Sequence, residues 1–214
     1  MTEKIPSERE IDQVLCERHG QKIQRLLKNS RVGIAGLGGL GSNTAVSLTR
    51  AGIGALKLVD FDCVDLSNLN RQQYGIHHIG RYKAEALAEV LLQINPYLKI
   101  EMEVVRVCPE NVVQLFSGVD VLCEAFDVPE EKAMLVNTVM EKLPSMRLVS
   151  ATGMAGYGSA NEIVTRKITE HFFLCGDGKT APQVNAGLMA PRVMVCAGHE
   201  ANMILRLLLG YEEV

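Results

Sequence analysis

The sequence predicts an α/β fold in which a largely parallel, Rossmann-like sheet is flanked by helices in a single domain. Short apolar runs of strand length alternate with helical stretches, and a glycine-rich turn, Gly36–Ser42, joins the first strand to a helix. Such alternation is typical of a parallel sheet, which places ligands at the carboxyl ends of its strands. The length of 214 residues and the hydrophobic content of 47% suffice for one core.

The chain begins with a helical stretch. An amphipathic helix is predicted roughly from Glu8 to Lys28, because apolar residues recur there with helical spacing. We therefore predict an N-terminal helical segment, residues 1–29, ahead of a main domain, residues 30–214.

A phosphate-binding turn is predicted directly after the first strand. Val32–Ala35 is an apolar run, and the glycine turn after it leads into a helix over Asn43–Arg50. In such a unit Gly36 permits the tight turn, Gly38 lets the backbone approach a phosphate, and Gly41 lets the helix pack closely on the strand. The helix N-terminus presents unpaired N–H groups to the phosphate.

The second strand, Leu56–Val59, ends at Asp60, where a carboxylate can accept hydrogen bonds from ribose hydroxyls. Up to this point a nicotinamide or flavin oxidoreductase fits equally well. The segment Ser67–Gln72 then places two asparagines and Arg71 beyond the strand end. A guanidinium can hold phosphate oxygens and stabilise charge that builds on them, whereas hydride transfer has no evident use for it.

Four ordered motifs resemble the ThiF/MoeB family, which is related to the ubiquitin-activating enzymes. They are the glycine turn, the Asp-Phe-Asp strand end, the Ser-Asn-Leu-Asn-Arg-Gln segment and Gly80–Lys83, and the similarity continues through Ile94–Pro96 to Asp127. The resemblance implies a ThiF-type ATP-binding adenylation domain over residues 30–214 that transfers adenylate to a carboxylate with ATP and Mg²⁺. In length the chain is most similar to short ThiF-like proteins.

The resemblance also implies roles for individual residues. Arg71 and Lys83 are the expected phosphate cations, Asn68 is expected to hydrogen-bond the phosphates, and Asp127 is expected to hold Mg²⁺ as an oxygen ligand. The implied catalytic residues are Arg71, Lys83 and Asp127. The implied cofactor-binding residues are Gly36, Gly38, Gly39, Gly41, Asp60, Asp62, Asn68, Arg71 and Lys83.

Plainer interpretations of the same residues stay open. Asp60 could simply cap the following turn, and Arg71 could be a solvated arginine paired with a neighbouring aspartate. Lys83 begins a helix, where the macrodipole disfavours a cation unless an anion is near. Asp127 could serve only as a helix cap or turn residue.

Further elements follow the phosphate segment. Helices are predicted over Lys83–Gln93, Lys132–Lys142 and Gly198–Leu209, and strands over Lys99–Val107, Val119–Glu124, Arg147–Ala151 and Glu162–Ile168. The glycine-rich run Ala151–Ser159 could floor a channel for an extended tail or form a simple bend.

Composition argues against several classes of partner. A net charge of −3 with interspersed signs and an aromatic content of 5% indicate no nucleic-acid surface. No apolar run approaches the roughly 20 residues that cross a bilayer, so we expect a cytoplasmic protein with no membrane contact.

The six cysteines include no CxxC pair, so neither a zinc site nor a disulfide framework is predicted. This departs from the many family members that carry two such pairs around a structural zinc. By resemblance, Cys175 is the one cysteine placed near a later crossover loop where some relatives form a thioester or persulfide. The cysteines are Cys16, Cys63, Cys108, Cys123, Cys175 and Cys196.

The resemblance favours a small ubiquitin-like sulfur carrier with a Gly-Gly carboxyl terminus as the partner, ThiS-like and serving thiamine biosynthesis. Alternatives are a molybdopterin-synthase carrier, a peptide, a modified tRNA base, an NAD or FAD oxidoreductase, or a nonenzymatic nucleotide-binding module. A homodimer is also expected, with Met203–Leu209 as one possible contact. Arg9 or Arg18 is the nearest candidate for a partner-subunit arginine, although the spacing does not match the family motif well.

Overall fold

A seven-stranded sheet forms the centre of the computed structural model, which describes residues 5–183 and 187–214. Its strands are β1 (Arg31–Ala35), β2 (Ala55–Val59), β3 (Lys99–Glu103), β4 (Val121–Glu124), β5 (Arg147–Ala151), β6 (Val164–Lys167) and β7 (Phe172–Gly176). The helices are α1 (Glu8–His19), α2 (Gln21–Asn29), α3 (Gly39–Ala51), α4 (Lys83–Ile94), α5 (Val112–Phe116), α6 (Pro129–Lys142) and α7 (Ala190–Leu208).

The strand order is β3-β2-β1-β4-β5-β7-β6, and β6 alone runs antiparallel to its neighbour. The predicted Rossmann-like, largely parallel sheet is therefore confirmed. Strand β1 lies between β2 and β4, so the sheet grows to one side of β1 through β2 and β3 and to the other side through β4 and the strands after it. A crevice forms at the carboxyl ends of strands at such a switch point.

Alternating strand residues build two separate cores, one on each face of the sheet. Val32 and Ile34 of β1 pack with residues of α3, α4 and α7 on one face. Ala35 of the same strand packs with residues of α5 and α6, including Phe116 and Leu135, on the other face. The sheet is covered on both faces, as a parallel sheet requires.

The N-terminal helix is two helices rather than the single predicted one. Gly20 separates α1 from α2 with a φ of 91°, a backbone conformation that glycine adopts at little cost. A capping box starts α1, in which Ser7 and Glu10 satisfy each other's backbone N–H groups.

Several predicted boundaries were also wrong. The strand predicted to reach Val107 ends at Glu103, and the closing helix begins at Ala190, well before Gly198, with Pro191 in its first turn. Strand β7 and helix α5 were not predicted, because each is only five residues long and lies among turn residues. Among the described residues, no helix combines the length and apolarity needed to span a bilayer.

Candidate functional site

A cleft of about 530 Å³ opens at the carboxyl edge of the sheet. Its floor is formed where β1, β2 and β4 end, at Gly36, Asp60 and Ala125. This is the switch point of the sheet, where the sequence predicted a ligand. The cleft is large enough for a ligand of nucleotide size.

Nine of the ten predicted site residues line this one cleft, although they come from five segments of the chain. Gly41 does not line it. A Cβ on Gly41 would lie 1.9 Å from the carbonyl oxygen of Gly36, so this glycine lets α3 pack against the turn. The nine lining residues are Gly36, Gly38, Gly39, Asp60, Asp62, Asn68, Arg71, Lys83 and Asp127.

The glycine turn brings main chain close to the cleft. Gly36 has a φ of +89°, and a Cβ there would approach the backbone of Ala125 and the ring of Phe126 to 2.9 Å. Gly38 precedes α3 and supplies no side-chain cap for its first N–H groups. Such uncapped N–H groups at a helix start favour an anion.

Asp60 is a buried carboxylate that organises the turn. Its Oδ2 accepts from the N–H of Leu37 at 2.7 Å, and its Oδ1 accepts from the N–H of Asp62 at 2.8 Å. Burial raises the pKa of Asp60, and the positive charge of Lys83 opposes the shift. The predicted turn cap is thus present, and each carboxylate oxygen still has lone-pair capacity for a further donor.

Lys83 begins α4 with a nearly buried side chain, and the anion beside it is Asp62. The Nζ of Lys83 lies 2.8 Å from Oδ2 of Asp62, which is half exposed at the cleft. This pair explains how a cation is tolerated at a helix start. It also places an ammonium group where a second anion can approach.

Arg71 is held by neutral oxygens rather than by a carboxylate. Its Nη1 donates to the carbonyl of Ser67 at 3.2 Å and to Oδ1 of Asn70 at 2.8 Å. Within residues 5–183 and 187–214, no carboxylate lies at salt-bridge distance and the buried Nε has no hydrogen-bond partner. The alternative of an arginine paired with an aspartate was therefore wrong, and the guanidinium remains available to an anion.

Gln72 is a lining residue that sequence reasoning missed. Its side chain is buried, and its Oε1 has no partner in the part of the chain that the structure describes. Its Nε2 lies 3.7 Å from where a Cβ on Gly38 would stand. Its place beside Arg71 in the predicted phosphate segment was the available signal. An unpaired buried amide at the cleft is suited to a polar ligand.

Asp127 stands on a loop that a buried ion pair fixes. The carboxylate of Glu124, fully buried, accepts from the N–H of Phe126 at 2.7 Å. The Nζ of Lys132 lies 2.9 Å from Oε2 of Glu124 and donates to the carbonyl of Phe126 at 2.8 Å. Asp127 follows this clamp, is exposed at the cleft, and finds no hydrogen-bond partner among the described residues. Such a carboxylate suits a hard cation.

A second buried ion pair fixes the opposite wall of the cleft. Arg192 lies 2.6 Å from Asp177, and Thr180, which lines the cleft, donates to Asp177 through its N–H and its hydroxyl. Burial by itself acts to raise the pKa of Asp177, but these hydrogen bonds, one from the N–H of Lys179 and the charge of Arg192 lower it to about 2.

Cys175 is not placed for the chemistry that the resemblance suggested. It lies in β7 rather than in a loop, and it is fully buried. Burial, with the charge of Glu200, raises the pKa of Cys175 to about 12. Because the thiolate is the nucleophile, this thiol is inert near neutral pH. All six cysteines are free thiols.

Glu200 is a fully buried carboxyl group on α7. Its Oε2 accepts from the hydroxyl of Thr44 at 3.2 Å, and its Oε1 has no partner among the described residues. Burial raises the pKa of Glu200 to about 8, opposed by the charge of Lys132 and reinforced by that of Glu124. Glu200 is therefore largely protonated in the folded protein near neutral pH.

We expect Glu200→Gln to change how stability depends on pH. The folded protein holds a proton on Glu200 that the unfolded chain releases, so this group lowers wild-type stability as the pH rises from 4.5 to about 8. The amide cannot ionise, so the stability of the variant relative to wild type should rise by on the order of 4 kcal/mol across that interval. Urea unfolding at both ends of the interval measures the gain. An unfolding free energy that differs from wild type by the same amount at both pH values would contradict the raised pKa of Glu200.

His77, His78 and Glu89 are the one group of three metal-ligand residues that cluster among the described residues. The Nδ1 of His78 accepts from the N–H of Gly75 at 3.0 Å, so the neutral ring carries its proton on the Nε2 that would face a metal. Arg81 also holds Glu89 at 2.7 Å. The group therefore suits a hydrogen-bonded turn better than a metal ion.

The residues suggested for subunit contact lie elsewhere. Arg9 and Arg18 are exposed on α1, outside the described lining of the cleft. Within Met203–Leu209, the side chains of Met203, Ile204 and Leu207 are buried in the protein's own core. These three side chains are therefore core packing, while the other residues of the segment are half-buried.

Comparison with known proteins identifies the family. The model of the ThiF family matches residues 11–214. The chain belongs to the ThiF family. Among curated ThiF-like relatives, the probable adenylyltransferase/sulfurtransferase MoeZ of Mycobacterium tuberculosis is 41% identical over 105 residues, which are 49% of this chain and 27% of MoeZ. The adenylyltransferase and sulfurtransferase UBA4 of Candida glabrata is 36% identical over 68% of this chain and 34% of UBA4.

A third relative has a name of a different kind. The tRNA threonylcarbamoyladenosine dehydratase of Escherichia coli is 38% identical over 55% of this chain and 45% of that protein. The chain thus spans less than half the length of these relatives. The E. coli dehydratase structure with ATP has a TM-score of 0.83 at 24% identity, covering 96% of this ThiF-family chain and 97% of the other. This likeness establishes the fold.

Proposed function

We propose that this ThiF-family protein is an ATP-dependent adenylyltransferase that activates the carboxyl terminus of a small ubiquitin-like sulfur carrier, ThiS-like and serving thiamine biosynthesis. One observation carries the proposal. The guanidinium of Arg71, which no described carboxylate pairs, and the carboxylate of Asp127, which no described residue engages, line the same cleft as the glycine turn and the buried Asp60.

The cleft offers a group for each part of ATP. In this proposal Asp60 accepts hydrogen bonds from the ribose, and the glycine turn receives the phosphates at the start of α3. Arg71 and Lys83 supply positive charge, and Asn68 can donate from its amide because its Oδ1 is already used as an acceptor from the N–H of Asp65 at 3.0 Å. Arg71 is the stronger candidate for transition-state charge, since Lys83 is paired with Asp62.

The proposed reaction joins two anionic reactants. A carboxylate oxygen attacks the α-phosphorus of ATP, the bond from that phosphorus to the bridging oxygen breaks, and its electron pair leaves with pyrophosphate. The product is an acyl-adenylate. Since the reactants repel each other, the protein's contribution is mainly to position them and to stabilise the charge on the phosphates.

Mg²⁺ is part of this proposal, and the residues present fit it. Asp127 is an exposed carboxylate at the cleft that no described residue engages, and carboxylate oxygen is the ligand type that Mg²⁺ prefers. When bound there, the ion neutralises phosphate charge. The clamp of Glu124 and Lys132 holds the loop that carries Asp127.

In this proposal the carboxyl terminus of the carrier binds along the wall formed by Thr152–Met154 and Thr180–Pro182, which lines the same cleft. Most of the side chains there are small, which suits a glycine-rich tail. MoeZ and UBA4 are named as adenylyltransferases with sulfurtransferase activity, which supports adenylation in a sulfur-transfer context. From the family resemblance we also propose a cytoplasmic homodimer.

A modified tRNA base is the second candidate acceptor, favoured by the similarity to the tRNA threonylcarbamoyladenosine dehydratase. The net charge of −3 weighs against it, because RNA binding relies on a basic surface. We therefore rank the carrier first.

Exchange of labelled pyrophosphate into ATP tests the proposed function. The full chain is assayed with Mg²⁺ and, in separate reactions, with a panel of Gly-Gly-ended carriers, with tRNA, or with no acceptor. We expect exchange that depends on a carrier, is lost in Asp127→Ala, and is retained in Glu141→Ala, an exposed carboxylate at the far end of α6. Exchange that requires tRNA would select the second candidate. Tight ATP binding without exchange on any acceptor would remove the enzymatic proposal.

A further inference from the structure

We propose that Glu131 selects adenine over guanine at the base end of this cleft, and that Arg106 positions Glu131 for that task. This inference rests on the proposed function, because it assumes that the cleft binds a nucleotide. None of the predicted site residues reads the base.

The base end can be located from the sheet. With the phosphates at the glycine turn after β1 and the ribose at Asp60 after β2, the base continues away from the turn. Apolar side chains line that part of the cleft, as a flat heterocycle requires. They follow β3 and β4 and comprise Val105, Val107, Phe126 and Val128, with Val59 and Ala125 at the strand ends.

Arg106 contacts residues on two sides of the base end of the cleft. Its guanidinium carbon lies 4.7 Å from the ring centroid of Phe61, the residue after Asp60. Its Nη2 lies 3.1 Å from Oε1 of Glu131 in the first turn of α6. All three side chains line the cleft. Arg106 therefore links Phe61 to the carboxylate of Glu131 at the edge of the apolar pocket.

Glu131 has the chemistry to distinguish the two purines. Arg106 occupies Oε1, while no described residue donates a hydrogen bond to Oε2. In this proposal Glu131 meets the purine edge that carries N7 and the 6-substituent, where adenine presents an amino group, a donor, and guanine presents a carbonyl oxygen, an acceptor. A carboxylate attracts the donor and repels the acceptor.

Stability alone does not explain the Arg106–Glu131 pair. The Arg106 side chain is 66% exposed, and exposed ion pairs contribute little to folding. Substitutions here should therefore leave the fold intact, so a change in nucleotide preference can be measured without a folding defect.

The test compares equilibrium dissociation constants for ATP and GTP, measured by calorimetry on the full chain. We expect wild type to prefer ATP and Glu131→Gln to lower that preference by about tenfold, because an amide accepts from adenine or donates to guanine equally well. Glu130→Gln is the matched control, since Glu130 lies beside Glu131 on α6, is exposed and does not line the cleft. It should keep the wild-type preference.

Arg106 is tested through the same ratio. Arg106→Ala should lower the preference for ATP in the same direction, and Arg106→Lys should restore most of it, which a purely structural role would not produce. If the preference of Glu131→Gln for ATP over GTP is within twofold of wild type, the inference is overturned. Binding of ATP by wild type would in that case leave the proposed function standing. Failure of wild type to bind either nucleotide would overturn both.

Discussion

Replacing Arg71 by alanine should lower carrier-dependent pyrophosphate exchange by about 10²- to 10³-fold, with the fold unchanged. Arg71 presents a partly buried guanidinium to the cleft with no carboxylate partner among the described residues, so little of its charge is neutralised by the protein. The loss of one preorganised group that stabilises transition-state charge typically costs this much. The effect should fall mainly on turnover, which steady-state assays at saturating ATP measure.

Two variants control this experiment. Arg71→Lys keeps the charge but loses the planar fork, so it should recover only part of the activity. Arg25→Ala removes an exposed arginine on α2 and should behave as wild type. Wild-type turnover in Arg71→Ala would exclude Arg71 from the chemistry and would favour Lys83 as the main phosphate cation.

The phosphate end of the site could be predicted from the sequence because its residues are local in the chain. The glycine turn and Asp60 each follow an apolar run, and parallel strands bring such run ends to one edge. Arg71 follows within the same crossover. The glycine turn, Asp60 and Arg71 could be placed from the order of the elements, whereas the roles expected of Asn68, Lys83 and Asp127 came from the family resemblance. The cleft unites nine of the ten residues predicted.

The base end could not be predicted in the same way. Apolar residues recur at Val105 and Val107, so the strand prediction extends over them, although β3 ends at Glu103. Their place in the cleft depends on where the chain leaves β3 and on the position of α6, neither of which a local sequence pattern contains. The prediction that Cys175 lies near a loop was wrong for a related reason, because the short strand β7 is surrounded by turn residues.

Replacing Lys132 by methionine should destabilise the protein by about 3 kcal/mol, one of the largest effects on stability that the structure predicts. Glu124 is fully buried, and Lys132 is the cation bonded to it, at 3.0 Å and 2.9 Å from its two carboxylate oxygens. Methionine retains the apolar stem but leaves that carboxylate without a counter-charge. For a chain of this size the loss corresponds to a fall in melting temperature of roughly 6 to 12 °C, measured by calorimetry or circular dichroism.

The double variant Lys132→Met/Glu124→Gln separates charge from packing. Removing the buried charge as well should recover about 2 kcal/mol or more of the loss, because the penalty of an uncompensated carboxylate disappears. Activity should not recover in parallel. In the double variant the carbonyl of Phe126 still lacks the hydrogen bond from the Nζ of Lys132. The loop that carries Asp127 is therefore still poorly positioned, and pyrophosphate exchange stays low. If stability and exchange recover together, the pair serves folding alone, and Asp127 is positioned by other contacts.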